Sequence, residues 1–204
     1  MRLRLTDYRH FVWDWNGTLL DDTWLCCESL NGMLGRRGLP LVDPADYTRL
    51  FEFPVQRVYR KVGIMVDEAE FEAVSHEFVS TYESRKGECG LHRGALELID
   101  DLSGRGATHS VLSAYERGLL RQTLDGLALS ARFRKLCGGG DIHARSKAER
   151  ARTHLHDLEA ARAMGTDCLL VAHGGQHRSR LEGHGAPVID SFDELHEALR
   201  TTRG

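Results

Sequence analysis

Short apolar runs bounded by turn residues alternate along this chain with segments whose apolar positions recur at helical spacing. Five runs predict strands: His10–Trp13, Thr108–Leu112, Phe133–Cys137, Cys168–Ala172 and Pro187–Ile189. The first runs into the turn-rich stretch Asp14-Trp15-Asn16-Gly17-Thr18, the second ends in Ser113-Ala114, and the third leads into Gly138-Gly139-Gly140. Helices are predicted over Leu19–Arg37, with Gly38 and Pro40 beyond it, and over Gly94–Leu102, Leu119–Leu127 and Phe192–Arg200. Ser146–Met164 reads as one long helix, with Ala148, Ala151, Leu155, Leu158 and Ala161 on one stripe and Gly165 at its end. Between 44 and 86 no strand signal appears. Val55, Val58, Tyr59 and Val62 mark one helix over Pro54–Val62, and Phe71, Val74, Phe78 and Tyr82 mark another over Asp67–Arg85.

Strands alternating with helices imply βαβ units, hence an α/β fold with a doubly wound parallel sheet. The helical stretch becomes an insertion after the first strand. The expected division is a core of residues 1–19 and 89–204 and a small helical cap of residues 20–88.

Composition narrows the function classes. The 204 residues are 41% hydrophobic and 28% charged, which suits one compact unit or a core carrying an insertion. A formal net charge of -3 gives no electrostatic footprint for nucleic acid or an anionic membrane. The apolar runs are strand-length, far short of the ~20 residues of a membrane span. Met1–Arg9 is polar and basic and lacks the apolar core of a signal peptide, so a soluble cytoplasmic protein is expected. Five cysteines, an odd count with no CxxC pair, indicate neither a disulfide framework nor a zinc knuckle. Eleven histidines are present, but His154 and His156 are two apart and fall on different faces of a helix.

In open α/β sheets, chemistry gathers beyond the carboxyl ends of the strands. Asp14, Ser113 and the region of Lys147 are the polar markers there. An aspartate so placed, followed by Gly17 and Thr18, suits a carboxylate nucleophile toward phosphorus, with loop N–H groups to cradle a phosphoryl oxygen. The Ser113 hydroxyl and the Ala114 amide would hold the same group, and Lys147 would set positive charge against it. No G-x-x-x-x-G-K-[ST] occurs, which disfavours a nucleotide kinase with a phosphate loop.

Asp14-Trp15-Asn16-Gly17-Thr18-Leu19 differs by one residue from the Asp-x-Asp-Gly-Thr-Leu motif of the haloacid-dehalogenase-like phosphatases. The strand ending in Ser113 resembles their second motif, and Ser146-Lys147-Ala148-Glu149-Arg150 their third. The segment from Phe53-Pro54-Val55 to Gly63 is similar to part of the helical cap of the phosphoglycolate-phosphatase-like branch. The resemblance implies magnesium-dependent hydrolysis of a small phosphorylated metabolite through an aspartyl-phosphate on Asp14. It also implies a magnesium ion held by the Asp14 carboxylate, the carbonyl of Asn16 and a fourth-motif acid.

Two departures stand out. Asn16 replaces the aspartate that would move protons, a service worth ~10²–10⁴-fold. The fourth motif is damaged: Asp157 matches its second acid by likeness, whereas the unbroken long helix would instead put His173 in the metal-binding position. Both assignments are open from sequence. The alternative to an enzyme is a catalytically degenerate relative that binds a phosphate metabolite or acts as an interaction module. Dehalogenation by the same aspartate fits Gly17-Thr18 and Ser113 less well.

Overall fold

The computed structural model describes residues 4–51, 55–65, 67, 70–139, 161–174 and 177–201. Its elements in chain order are β1 (His10–Trp13), α1 (Thr23–Arg36), α2 (Pro44–Leu50), α3 (Gln56–Lys61), α4 (Glu70–Arg85), α5 (Ala95–Gly104), β2 (Thr108–Glu116), α6 (Arg117–Gly126), β3 (Lys135–Gly139), β4 (Leu170–Val171), α7 (Arg178–Leu181), β5 (Val188–Ile189) and α8 (Phe192–Thr201). Strands β1, β2 and β3 form one parallel sheet in that order, and β4 and β5 pair in parallel as a second. The α/β class and the parallel pairing agree with the sequence pattern.

The register between β1 and β2 runs from His10 opposite Thr108 to Trp13 opposite Val111. Side chains reinforce it. The Trp13 indole donates to His109 Nδ1 at 3.0 Å, so the proton of that buried imidazole sits on Nε2, which faces Ser103 Oγ at 3.0 Å. Beneath lies the main core, in which Trp15, Leu19, Leu98, Ile99, Val111, Leu120 and Phe192 are fully buried. Burial of each such side chain stabilises by about 1.5–3 kcal/mol.

Several elements depart from the pattern. The second strand does not stop at Leu112. After a register shift between Leu112 and Glu116 it pairs again with Gly139 of β3, so Ser113, Ala114 and Tyr115 lie in an irregular stretch of a longer strand. Gly138 and Gly139 belong to β3 rather than to a turn. A Cβ on Gly138 would stand 2.5 Å from the Arg117 Cα, so this glycine lets α6 start directly against the sheet. The first helix begins at Thr23, because residues 14 to 20 form a tight loop instead. The fourth strand shrinks to two residues and does not join β1. Between β1 and the segment 161–171 lies a cavity of about 520 Å³ that Phe11, Val12, Leu98, Leu169 and Leu170 line, and Val12 is 49% exposed. Of the long helix, Ala161–Met164 is helical, and residues 146 to 160 lie outside the described residues.

Helices α1 to α4 bury a second cluster that includes Cys27, Leu30, Met33, Leu34, Tyr59 and Val74. The chain leaves and re-enters the sheet region side by side: the Asp21 N–H donates to the Gly90 carbonyl and the His92 N–H to the Leu19 carbonyl, both at 2.9 Å. Arg36 and Arg37 both grip Glu77, tying α1 to α4.

Two glycine substitutions separate close packing from helix propensity. Gly138→Ala should lower the melting temperature by several degrees, because Arg117 backbone must move. Gly35→Ala, exposed in α1 with nothing within 4 Å, should raise it slightly. Thermal melts of the two variants beside the native chain check both signs.

Candidate active site

Asp14 is the first residue beyond β1, and Leu112 and Ser113 follow the paired Val111 on the neighbouring strand. The parallel pairing therefore delivers Asp14 and Ser113 to the same end of the sheet. Asp14 lines the cavity together with Asn16, Gly17 and Thr18. Its Oδ2 accepts from the Thr18 hydroxyl at 2.9 Å. Burial raises its pKa to about 6, against the pull of the Thr18 hydroxyl and the Trp15 N–H, and the nearby Asp22 charge pushes the same way as burial.

The loop after Asp14 closes on the Trp15 carbonyl, which accepts from the N–H groups of Thr18, Leu19 and Leu20 at 3.2, 3.0 and 2.9 Å. Gly17 adopts φ +70°, a conformation that L side chains rarely take. Its N–H donates to Asp22 Oδ1 at 2.8 Å and to the Leu20 carbonyl at 3.1 Å. Asn16 is half-buried, and its Nδ2 donates to Asp22 Oδ2 at 2.8 Å and to the Tyr82 hydroxyl at 3.1 Å. Tyr82, on α4, in turn donates to Asp22 Oδ2 at 2.6 Å. The Asn16 carbonyl takes no hydrogen bond among the described residues.

On the far side of the loop stand two imidazoles. His173 Nε2 lies 3.0 Å from the Thr18 carbonyl, so that nitrogen carries the proton. His92 stacks on the His173 ring at 3.8 Å between centroids. Burial, with the neighbouring His173 as second cause, lowers the His92 pKa to about 4, and burial also lowers that of His173. Gly174 packs so closely that a Cβ there would sit 1.8 Å from the Gly17 carbonyl oxygen. His173 is thus seated against the loop that carries Asp14.

A profile of the haloacid dehalogenase-like hydrolases matches residues 11–150. The chain belongs to this family. Among its relatives are the phosphoglycolate phosphatases of Xanthomonas campestris pv. campestris and Agrobacterium fabrum. The first is 28% identical over 89% of this chain and 81% of its own length. The second is 25% identical over 92% and 91%. Of solved structures, a predicted phosphatase from Clostridium acetobutylicum superposes with TM-score 0.71 at 18% identity, covering 95% of this chain and 99% of its own. The Mycobacterium tuberculosis protein tyrosine kinase A gives 0.72 at 22%, covering 94% and 97%. These superpositions show the haloacid-dehalogenase-like fold.

Within that fold, the structure brings together Asp14, Asn16, Gly17 and Thr18 in one loop and sets Ser113 and the Ala114 backbone on the adjacent strand. Lys147 and Asp157 lie outside the described residues. No group of three or more His, Cys, Asp or Glu able to hold a metal occurs among the described residues. Sequence reasoning missed Asp22, Tyr82 and His92. Asp22 carries a faint signal as the second acid directly after the motif; Tyr82 reads only as one apolar position of a helical stripe.

The two imidazoles set a pH dependence. His92 titrates near 4 when folded and near its ordinary 6.5 when unfolded, so the unfolded chain binds more protons between those values. Its contribution to stability is whole above about pH 6.5 and is lost as pH falls toward about 4. Asp14 acts oppositely, since its folded value near 6 exceeds the ordinary 3.8 and acidification through about 6 relieves its cost. His92→Gln should therefore lose less melting temperature than the native chain between about pH 7 and about pH 5. Melts across that interval check the difference of slopes.

Proposed function

We propose that this chain is a magnesium-dependent phosphatase acting on a small phosphate monoester through an aspartyl-phosphate on Asp14. The observation that carries the reading is the Asp14 carboxylate at a strand end, open to a cavity, with the Thr18 hydroxyl on one oxygen. Membership of a hydrolase family and relatives named phosphoglycolate phosphatase support it.

In the first step an Asp14 oxygen attacks phosphorus and the bond from phosphorus to the leaving oxygen breaks. In the second, water attacks the same phosphorus, releasing inorganic phosphate and restoring the carboxylate. Thr18 orients Asp14, and Ser113 with the Ala114 amide, the Gly17–Thr18 loop and Lys147 are assigned to the phosphoryl oxygens. Asn16 cannot move a proton, so the leaving group takes its proton from water.

The donor set fits magnesium, which prefers hard oxygens and keeps several waters. Asp14, whose pKa burial raises, and the Asn16 carbonyl, which has no partner among the described residues, would hold the ion. Asp157 is assigned as a third ligand from sequence. His173 donates to Thr18, which suits a supporting role rather than an oxygen ligand's. When bound, the ion neutralises charge on the phosphoryl oxygens. We assign residues 1–19 and 89–204 to a core and 20–88 to a cap over the leaving group; the paired crossings at Asp21–Gly90 and Leu19–His92 support this division.

Asn16 and His173 favour one second reading, a degenerate relative that binds phosphate esters without turnover. Assays of p-nitrophenyl phosphate and phosphoglycolate, with and without magnesium, separate the two. Turnover should fall about 10³-fold or more in Asp14→Asn and on chelation. Equal rates in native and Asp14→Asn protein would sink the enzyme reading, and tight ester binding without turnover would establish the other.

A further inference from the structure

Asp22 lies outside the Asp14–Leu19 motif, yet it is 2% exposed and holds the loop from within. It occupies the N-cap position of α1, where an aspartate ordinarily accepts from the first N–H groups of the helix; its side chain makes no such bond. Instead its two oxygens face three donors: the Gly17 N–H on Oδ1, and the Asn16 amide and the Tyr82 hydroxyl on Oδ2. Three donors and the positive end of a 14-residue helix favour its charged form against burial, which pushes its pKa up.

The arrangement also fixes Asn16. Its Nδ2 faces both Asp22 Oδ2 and the Tyr82 oxygen, so the amide cannot flip without setting its oxygen against a carboxylate. We propose that Asp22 is the positioning residue of this loop, and that residues 16 and 22 form one donor–acceptor pair whose members exchange together but not singly. Asn16 on this account is the partner that a buried Asp22 requires, with the carboxylate of the pair held in the loop's interior and not at the cavity wall.

The donor and acceptor positions make the pairing rule explicit. With Asp22→Asn alone, the new amide keeps its oxygen on the Gly17 N–H and turns its NH2 toward Asn16 Nδ2, donor against donor, so Asn16 must flip out of its present seat to relieve the clash. With Asn16→Asp alone, two carboxylates face each other where 2.8 Å now separates an amide from a carboxylate. In the exchanged pair every group is satisfied. The amide introduced at 22 accepts from Gly17 through its oxygen and donates to the carboxylate introduced at 16 and to the Tyr82 oxygen. The Tyr82 hydroxyl then donates to position 16.

The test is a double-mutant cycle on the full chain, read first by thermal melting at neutral pH. Asn16→Asp and Asp22→Asn should each lower the melting temperature by about 4–10 °C, and the double variant should return to within about 3 °C of the native chain. Additive losses in the double variant, or a double variant that fails to fold, would overturn the pair. A second arm rests on the phosphatase reading. The exchange returns a carboxylate to position 16, which lines the cavity, so kcat on p-nitrophenyl phosphate should rise about tenfold or more in the double variant, with KM changed much less. Asn16→Asp alone should not match it; an equal rise in that single variant would overturn the positioning role. If no protein in the cycle turns over, the phosphatase reading fails while the melts still decide the pair. If turnover is present but the melts are additive, the pair fails and the phosphatase reading stands.

Discussion

A buried carboxylate costs several kcal/mol unless donors surround it, and Asp22 is surrounded. Its three donors come from two places: Asn16 and Gly17 from the loop after β1, and Tyr82 from α4. One charge thereby fastens the helical layer to the loop that presents Asp14. Around this point the chain also makes its two crossings between sheet and helices, so loop shape, helix placement and the direction of Asp14 are set together. Tyr115, just beyond Ser113, adds a second tie to α4 through Glu83, and to Lys86 directly after that helix.

The electrostatics of the loop are correspondingly tense. Burial and the Asp22 charge hold the Asp14 carboxyl near 6, while burial keeps the imidazoles on the opposite side neutral, with His173 adding to the effect on His92. Neutral His173 supports the loop through the Thr18 carbonyl, with His92 stacked on it, and the two add no positive charge that would draw Asp14 back down. A carboxylate left short of compensation is a mark of a functional site, and its cost in stability is offset by the apolar core beneath Trp15 and Leu19.

The sheet carries a second peculiarity. In a doubly wound fold the first strand is expected to have neighbours on both sides, yet among the described residues β1 pairs only with β2. The β4–β5 pair stands off across the cavity, and its contact with the active loop runs through His173 and Gly174 instead of through a strand ladder. Gly174 permits that contact because no side chain intervenes at the Gly17 carbonyl.

What the sequence by itself determined is what local chemistry determines. The β1 run, the helical periodicities at Phe71–Tyr82 and at the chain's end, and the motif from Asp14 to Leu19 all express short-range constraints, and they were enough for the α/β class and the family. Strand limits were less legible, because β2 runs on past Ser113 only where β3 offers Gly139 as a partner. Only the tertiary structure decided that β4 pairs with β5 and not, among the described residues, with β1, that His173 rests on Thr18, and that Asp22 turns from its own helix into the loop to meet Asn16 and Tyr82. Those outcomes depend on groups tens of residues apart competing for the same few hydrogen-bonding positions, and no local pattern of hydrophobic and polar residues records that competition.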